Sequence, residues 1–201
     1  MKTLLIATTN RSKCAEMRQI LEAADLQIEL KTLKDFPNAP DVEEIGSTFM
    51  ENAHLKALEA VRETGLISIA DDGGLVIDAL NGAPGVFSHR FLGIDTSFDD
   101  KMTQILKMMA ETPEAQRTCR FVSAVAIATP EGEIFDCIGT CEGRIAYEKR
   151  GTFGFGYDPV FLLPELGRHM AELPPEEKHK ISHRGRSMQC ALTHLKILFS
   201  L

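Results

Sequence analysis

This chain has no basic excess, no long apolar run, no internal repeat and no paired-cysteine motif, and each absence removes a class of function. Acidic residues outnumber basic ones, 29 to 22, for a formal charge of −7. A surface of that sign argues against nucleic-acid or anionic-membrane binding, which require a net basic face. Any phosphate ligand must therefore be met by a local cluster of basic groups. The early apolar run, Thr3-Leu4-Leu5-Ile6-Ala7, is too brief for a signal peptide or a membrane span. The five cysteines, at 14, 119, 137, 141 and 190, are odd in number and include no C-x-x-C pair. Cys137 and Cys141 would share one face of a strand as small core residues, and this usage points to a reducing cytosol.

What remains is an ordinary globular composition, 44% hydrophobic and 25% charged over 201 residues. That suffices for one large domain or two small lobes with a substantial core. The stretch Ile67-Ser68-Ile69-Ala70-Asp71-Asp72-Gly73-Gly74-Leu75-Val76-Ile77-Asp78 stands out. An apolar run reads as a buried strand that stops at two adjacent carboxylates. The glycines after them allow a sharp turn or the close approach of a ligand. Neighbouring side chains of an extended chain point to opposite sides, so only one aspartate need face a given cleft. Acids at a strand end beside glycines suit a hard cation such as Mg²⁺ near phosphates; an acidic turn capping a strand is the structural alternative.

Taken in order, Leu4 to Ala7 reads as a short buried strand running into Thr8-Thr9-Asn10-Arg11-Ser12-Lys13. Met17, Ile20, Leu21 and Ala24 then recur at helical spacing, with Asn10 as N-cap. Hydroxyls, an amide and a lysine thus surround a helix N-terminus, which favours anions. A capped helix after a strand explains the stretch equally well, and it is neither a Walker loop nor a dinucleotide fingerprint. Leu26 to Leu33 alternates as a second strand, Phe36 to Pro40 forms a loop, and Asp41-Val42-Glu43-Glu44 is an acidic connector. Thr48-Phe49-Met50-Glu51 is a capping box that starts a helix packed through Ala53, Ala57 and Ala60. Glu51 is thereby explained structurally, whereas Glu44 has no such local role. Lys56 sits one turn after Asn52, free to reach a cleft or water.

Further on, Met102, Ile105, Leu106 and Met109 mark an amphipathic helix. Arg120–Ala128 and Ile134–Cys141 form a hairpin, and Gly143 to Tyr147 adds a short strand. Gly151-Thr152-Phe153-Gly154-Phe155-Gly156-Tyr157-Asp158-Pro159 sets glycines among aromatics, which suits a planar ligand or a β-bulge over the core. Val160–Leu163 is another buried strand. Ser182 can cap a last helix carrying Met188, Leu192, Leu195 and Leu198, which puts His183 and Arg184 in its first turn. Cations there oppose the helix dipole unless an anion or polar ligand lies nearby, so they read as functional. His179 and His183 lack a third ligand, and no zinc site is expected.

These motifs resemble, in the same order, those of the inosine triphosphate pyrophosphatase family, the dITP/XTP pyrophosphatases. The matching pieces are Thr8 to Lys13, Glu44 with Thr48-Phe49-x-Glu51-Asn52, Ala70 to Leu75, Gly82-Ala83-Pro84-Gly85, Phe155 to Pro159 and Ser182-His183-Arg184-Gly185. The resemblance implies an α/β fold: an elongated, mixed, twisted sheet flanked by helices, one domain over 1–201 with two lobes and the active cleft between them. It implies a cytoplasmic homodimer that binds neither nucleic acid nor membrane. Its activity would be Mg²⁺-dependent hydrolysis of purine nucleoside triphosphates such as ITP, dITP and XTP to the monophosphate and pyrophosphate, cleansing the nucleotide pool.

By the same resemblance Thr8, Thr9, Asn10, Arg11, Ser12 and Lys13 hold the triphosphate, with Lys56 and Gly73 also at the substrate. Glu44 and Asp72 bind Mg²⁺, and Asp72 is the proton acceptor that activates water. Phe155, Gly156, Tyr157, Asp158, Lys178, His183 and Arg184 embrace the nucleotide, mainly its base. Two positions depart from the family pattern: Gly73 stands where serine is common, and Thr9 where glycine is. A related pyrophosphatase of the septum-inhibitor type is the nearest rival, disfavoured by Ser182-His183-Arg184. A non-catalytic nucleotide sensor would not need both Glu44 and Asp72.

Overall fold

The computed structural model describes residues 2–39 and 42–199; Pro40 and Asp41, placed by the sequence in a loop and an acidic connector, lie outside them. Among the described residues the chain forms a seven-stranded mixed sheet and five α-helices. Strand order is β2-β1-β3-β4-β5-β6-β7. The chain divides into two compact units, residues 1–72, 123–139 and 183–201 in the first and 73–122 and 140–182 in the second. The division falls inside three long strands, β3 (Ile67–Ile77), β4 (Thr118–Ala128) and β5 (Ile134–Ile145). No helix among the described residues is long and apolar enough to cross a membrane.

In the first unit, β1 (Lys2–Ile6) pairs in parallel with β2 (Ile28–Thr32) and with β3, setting Leu4 opposite both Leu30 and Ile67. Parallel strands need crossovers, supplied by α1 (Arg11–Ala23) and α2 (Phe49–Thr64). Both faces of such a sheet are covered, so β1 reads as a continuous apolar run with Leu4, Leu5 and Ile6 fully buried. Alternation then sorts the side chains. Leu5, Ala7, Ala70, Ala124, Ala126 and Ala128 meet Ala53, Ala57 and Ala60 of α2. Leu4, Ile6, Ile69 and Val125 instead meet Met17 and Leu21 of α1 and Met188, Ala191 and Leu195 of α5 (His183–Leu198). The alanine stripe lets α2 lie close to the sheet.

The helix starts follow local chemistry. Asn10 Oδ1 accepts from the amides of Ser12 (3.0 Å) and Lys13 (3.1 Å). Thr48 Oγ1 accepts from Glu51 N at 3.1 Å, while Glu51 Oε2 accepts from Ser47 N at 2.6 Å and Thr48 N at 3.3 Å. Both caps satisfy amides that the helix itself cannot.

The second unit is built on a separate core in which Leu75, Ile77, Phe121, Ile145 and Phe161 pack against Met102 and Ile105 of α3 (Phe98–Met108). β6 (Phe161–Leu163) runs antiparallel to both β5 and β7 (Arg168–His169). Arg117 is buried, but its guanidinium donates to the carbonyls of Met109, Ile145 and Ala146, so no donor is stranded. α4 (Pro175–Ile181) follows, a short helix that the sequence reading leaves unassigned.

Two expectations are corrected. β3 does not stop at Asp71-Asp72 but runs on through Gly73 and Gly74 to Ile77. Gly74 is there for close approach: a Cβ at that position would sit 2.2 Å from Ser88 Oγ and 2.7 Å from Gly85 O. The segment from Gly143 is not a separate strand either, since β5 continues to Ile145.

Candidate active site

The period of two along β3 separates the adjacent aspartates. Asp71 follows Ile69 toward α1 and α5, and Asp72 follows Ala70 toward α2. Asp71 is fully buried. Its Oδ2 meets Lys13 Nζ at 3.0 Å and Arg184 Nη2 at 3.1 Å, and its Oδ1 accepts from Ser123 Oγ at 2.5 Å. Ser187 Oγ, 2.8 Å from Ser123 Oγ, extends the chain of hydroxyls. Arg184 Nη1 donates to Glu16 Oε2 at 2.7 Å. The anions that offset Arg184 in the first turn of α5 therefore include Glu16 and Asp71 of the protein itself.

Asp72 meets a different set. Its Oδ2 accepts from Asn52 Nδ2 at 3.1 Å, and its Oδ1 lies 3.2 Å from Lys56 Nζ and 3.6 Å from Lys13 Nζ. Asn52 and Lys56 are four apart on α2, so one helix face supplies both. Asn52 Oδ1 also accepts from Gly46 N at 2.7 Å, which pins the chain just after Glu44 to the same place. Lys56 Nζ then bridges Glu44 Oε1 (2.7 Å), Asp72 Oδ1 and the carbonyl of Asp71 (2.9 Å).

Electrostatics push the two aspartates apart. Burial alone would raise both. At Asp71 the charges of Arg184 and Lys13, with the Ser123 hydroxyl, outweigh it and hold the carboxyl well below the usual range. At Asp72 burial wins: Lys56 and Lys13 pull down, Glu44 and Asp71 push up, and the carboxyl stays above its ordinary value. Lys56 is held charged, since attraction to Asp72 and Glu44 overcomes its own desolvation. One aspartate is thus held as an anion while its neighbour has a raised proton affinity, the pattern expected where acid and base roles are divided.

Glu44 and Asp72 are the residues that could hold Mg²⁺. Both are oxygen donors of the hard kind that this ion prefers, and both reach one ammonium nitrogen, so the site already gathers two carboxylates around a cation. The donor set fits. Of the residues that the resemblance assigns to the triphosphate, Thr8 is buried with Oγ1 accepting from Asn10 N, Thr9 and Arg11 are exposed, and Ser12 and Lys13 are half-buried at the start of α1.

The second unit carries the other assigned residues except His183, which belongs to the first. Lys178 Nζ and Asp158 Oδ2 form a buried ion pair at 2.6 Å. The same Oδ2 accepts from Phe155 N at 2.9 Å, and the ammonium lies 5.0 Å from the centroid of the Phe155 ring. Gly154, at φ +71°, makes room: a Cβ there would fall 2.0 Å from Asp158 Oδ2. Gly156 turns the same segment. Tyr157 points into the core, its hydroxyl donating to Ser88 O at 2.8 Å and its ring edge-on to Phe98. Gly73 is half-buried in β3, and His183 is buried at the start of α5.

Sequence reasoning missed Glu16, Asn52, Ser123 and Ser187 as members of the first cluster. Glu16 follows Lys13 by three on α1 and could have been found from that spacing. Ser123 sits within an apolar strand and carries no signal of its own.

The chain matches known proteins over nearly its whole length. The profile of the Ham1 family matches residues 4–194. A dITP/XTP pyrophosphatase of Geobacillus kaustophilus is 49% identical over 188 residues, 94% of this chain and 91% of that protein. One from Exiguobacterium sibiricum is 46% identical over 186 residues, 92% of this chain and 93% of that protein. A HAM1 protein from Coxiella burnetii has a similar structure, with a TM-score of 0.88 at 41% identity, covering 98% of this chain and 99% of that one. Matches of this extent, over the segments that carry Lys13, Glu44, Asp72, Asp158 and Arg184, show that the chain belongs to the Ham1 family.

Proposed function

We propose that the chain is a nucleoside-triphosphate pyrophosphatase acting on ITP, dITP and XTP, and that it releases the nucleoside monophosphate and pyrophosphate with Mg²⁺ as cofactor. The observation that carries this reading is the split between Asp71 and Asp72 within a cluster of lysines and carboxylates. Relatives in the family are named dITP/XTP pyrophosphatases. The activity fits work in the cytoplasm as a homodimer.

In the reaction, water forms a bond to a phosphorus of the α–β anhydride and its proton passes to Asp72. The bridging P–O bond breaks, and its electron pair leaves with the other half of the anhydride, so that nucleoside monophosphate and pyrophosphate separate. A carboxylate with raised proton affinity is a better acceptor than an ordinary aspartate. Asn52 fixes the carboxylate through Oδ2, and Lys56 donates to its Oδ1. Glu44 and Asp72 would hold Mg²⁺, which when bound neutralises phosphate charge that builds up during bond cleavage. Lys13 and Lys56 would give up carboxylate partners for the triphosphate, assisted by Thr8, Thr9, Asn10, Arg11 and Ser12 at the start of α1.

Phe155, Asp158, Lys178 and His183 are assigned to the base. A lysine donor matches the six-keto oxygen of hypoxanthine or xanthine, and adenine would leave it unpaired, a penalty of about 1–3 kcal/mol. Arg184, whose Nη atoms both donate to carboxylates, is read as a positioning residue that keeps Asp71 ionised and Lys13 in place. The test is Mg²⁺-dependent pyrophosphate release from dITP, XTP, dGTP and ATP. Turnover of dITP and XTP well above the other two is the expected result; equal turnover of all four, or release of single phosphates only, would overturn the reading.

A further inference from the structure

Away from that cluster, β5 and α5 meet through a matched set of side chains. Phe135 and Cys137 are two apart on one face of β5, and Cys190 and His194 are four apart on one face of α5. Cys137 and Cys190 form a disulfide, with Cα atoms 5.8 Å apart. Cys137 is not merely the small core residue that the sequence suggests, although it does lie in the core beside Met188 and Ala191. Phe135 packs on His194, ring centroids 5.0 Å apart. The two Sγ atoms and a ring nitrogen of His194 all lie within 4.8 Å of one another.

A disulfide needs no third residue, yet here a third donor stands beside it. In a tetrahedral zinc site, metal–sulfur bonds of about 2.3 Å and metal–nitrogen bonds of about 2.0 Å put ligand atoms roughly 3.5–3.8 Å apart. Opening the disulfide is the small adjustment that brings these sulfurs to that spacing. Two thiolates and an imidazole form a soft to borderline set that selects Zn²⁺ over Mg²⁺ or Ca²⁺. Cys190 and His194 are only half-buried, which gives an ion a way in and leaves a fourth position to water.

We propose that the reduced form of this protein binds one Zn²⁺ ion through Cys137, Cys190 and His194. A dithiol reductant supplies two electrons and two protons to the disulfide and is itself oxidised to a disulfide. The two thiols then lose their protons to solvent as the ion binds, so the charge of Zn²⁺ is balanced by two thiolates. Metal binding and disulfide formation are mutually exclusive uses of the same sulfurs, and both tie β5 to α5.

Cobalt(II) is the probe, because its thiolate charge-transfer absorption in the near ultraviolet reports sulfur ligation and is silent for carboxylate sites such as Glu44 and Asp72. Full-length protein reduced with a phosphine is titrated with Co²⁺ and then with Zn²⁺. The expected result is one equivalent of thiolate-bound Co²⁺, displaced by Zn²⁺, and no such band in the oxidised protein, a control that needs no mutation. Cys190→Ala should abolish the band, and His194→Ala should weaken affinity by at least about tenfold, the least that loss of support to a metal ligand usually brings. Cys14→Ser should leave it intact. No band in reduced protein, an equal band in oxidised protein, or an affinity unmoved by His194→Ala would each overturn the site.

Discussion

The two buried charge constellations of this chain differ in balance. In the second unit one lysine meets one aspartate, Lys178 on Asp158, and the pair is neutral. In the first unit the ion pairs join Lys13, Lys56 and Arg184 to Glu16, Glu44, Asp71 and Asp72. These pairs set three cations against four carboxylates, crowding negative charge around Asp72. Desolvation disfavours that charge and, with the neighbouring Glu44 and Asp71, raises the proton affinity of Asp72. A balanced pair suits recognition, since it holds donors and acceptors at fixed points. An unbalanced cluster suits chemistry, since it can trade a proton or take up a cation.

The sharpest way to break the comparison is Asp72→Asn. An amide keeps the shape but cannot accept the proton, and it is a poor Mg²⁺ ligand. Turnover is expected to fall by about 10²–10⁴-fold from the lost proton transfer alone, with the melting temperature little changed or raised. Pyrophosphate release and a thermal scan measure the two effects, and near-normal turnover in a folded variant would remove Asp72 from catalysis.

Asp71→Asn tests the other side of β3, and stability is the quantity to read. It takes one carboxylate away from buried Arg184 and Lys13, a loss of about 3–5 kcal/mol for a broken buried pair. The sign with pH is fixed by the direction of the shift. The folded pKa of Asp71 lies below the ordinary value of about 3.9, so its contribution is complete above that pH and is lost as pH falls through the lowered folded value. The stability gap between wild type and variant should be constant from about pH 5 to 8 and narrow under about pH 4. Urea unfolding at several pH values decides it; a gap that widens in acid would contradict the assignment.

Most of this was legible from residues alone where the signal was local. The caps at Asn10 and Thr48, the alanine stripe of α2, the apolar run of β1 and the helical spacing of α5 all depend on near neighbours in sequence. What failed was non-local. Gly73 and Gly74 look like a turn, but β3 passes straight through because Ser88, brought in by a distant loop, occupies the space of a side chain at Gly74. The dipole penalty at Arg184 correctly pointed to an anion, yet nothing in the sequence told a ligand oxygen from Glu16, 168 positions away. Cys137 and Cys190 are separated by 53 residues and share no motif.

Selectivity should separate the constellations at an intermediate scale. Lys178→Met is expected to lower the ratio of kcat/KM for ITP over ATP by the equivalent of about 1–3 kcal/mol, because the unpaired-donor penalty against adenine disappears. Arg184→Ala should weaken both substrates alike and leave the ratio unchanged. If Arg184→Ala shifts the ratio and Lys178→Met does not, the roles given to the two residues are reversed.

The smallest effect is expected at Glu51, which lies in the same short segment as Glu44 and yet belongs to neither constellation. Its carboxylate accepts from Ser47 N, Ser47 Oγ and Thr48 N, and those bonds hold its pKa below the ordinary value even though the side chain is exposed. Its work is to close the N-terminus of α2, the helix that delivers Asn52 and Lys56. Glu51→Ala should therefore lower stability modestly in urea unfolding, with kcat/KM near wild type at a temperature where both proteins are folded. Glu44→Ala should do the reverse, keeping stability close to wild type and raising the Mg²⁺ concentration needed for half-maximal rate. If Glu51→Ala instead shifts the Mg²⁺ dependence and Glu44→Ala does not, the metal-binding acid has been placed seven residues too early.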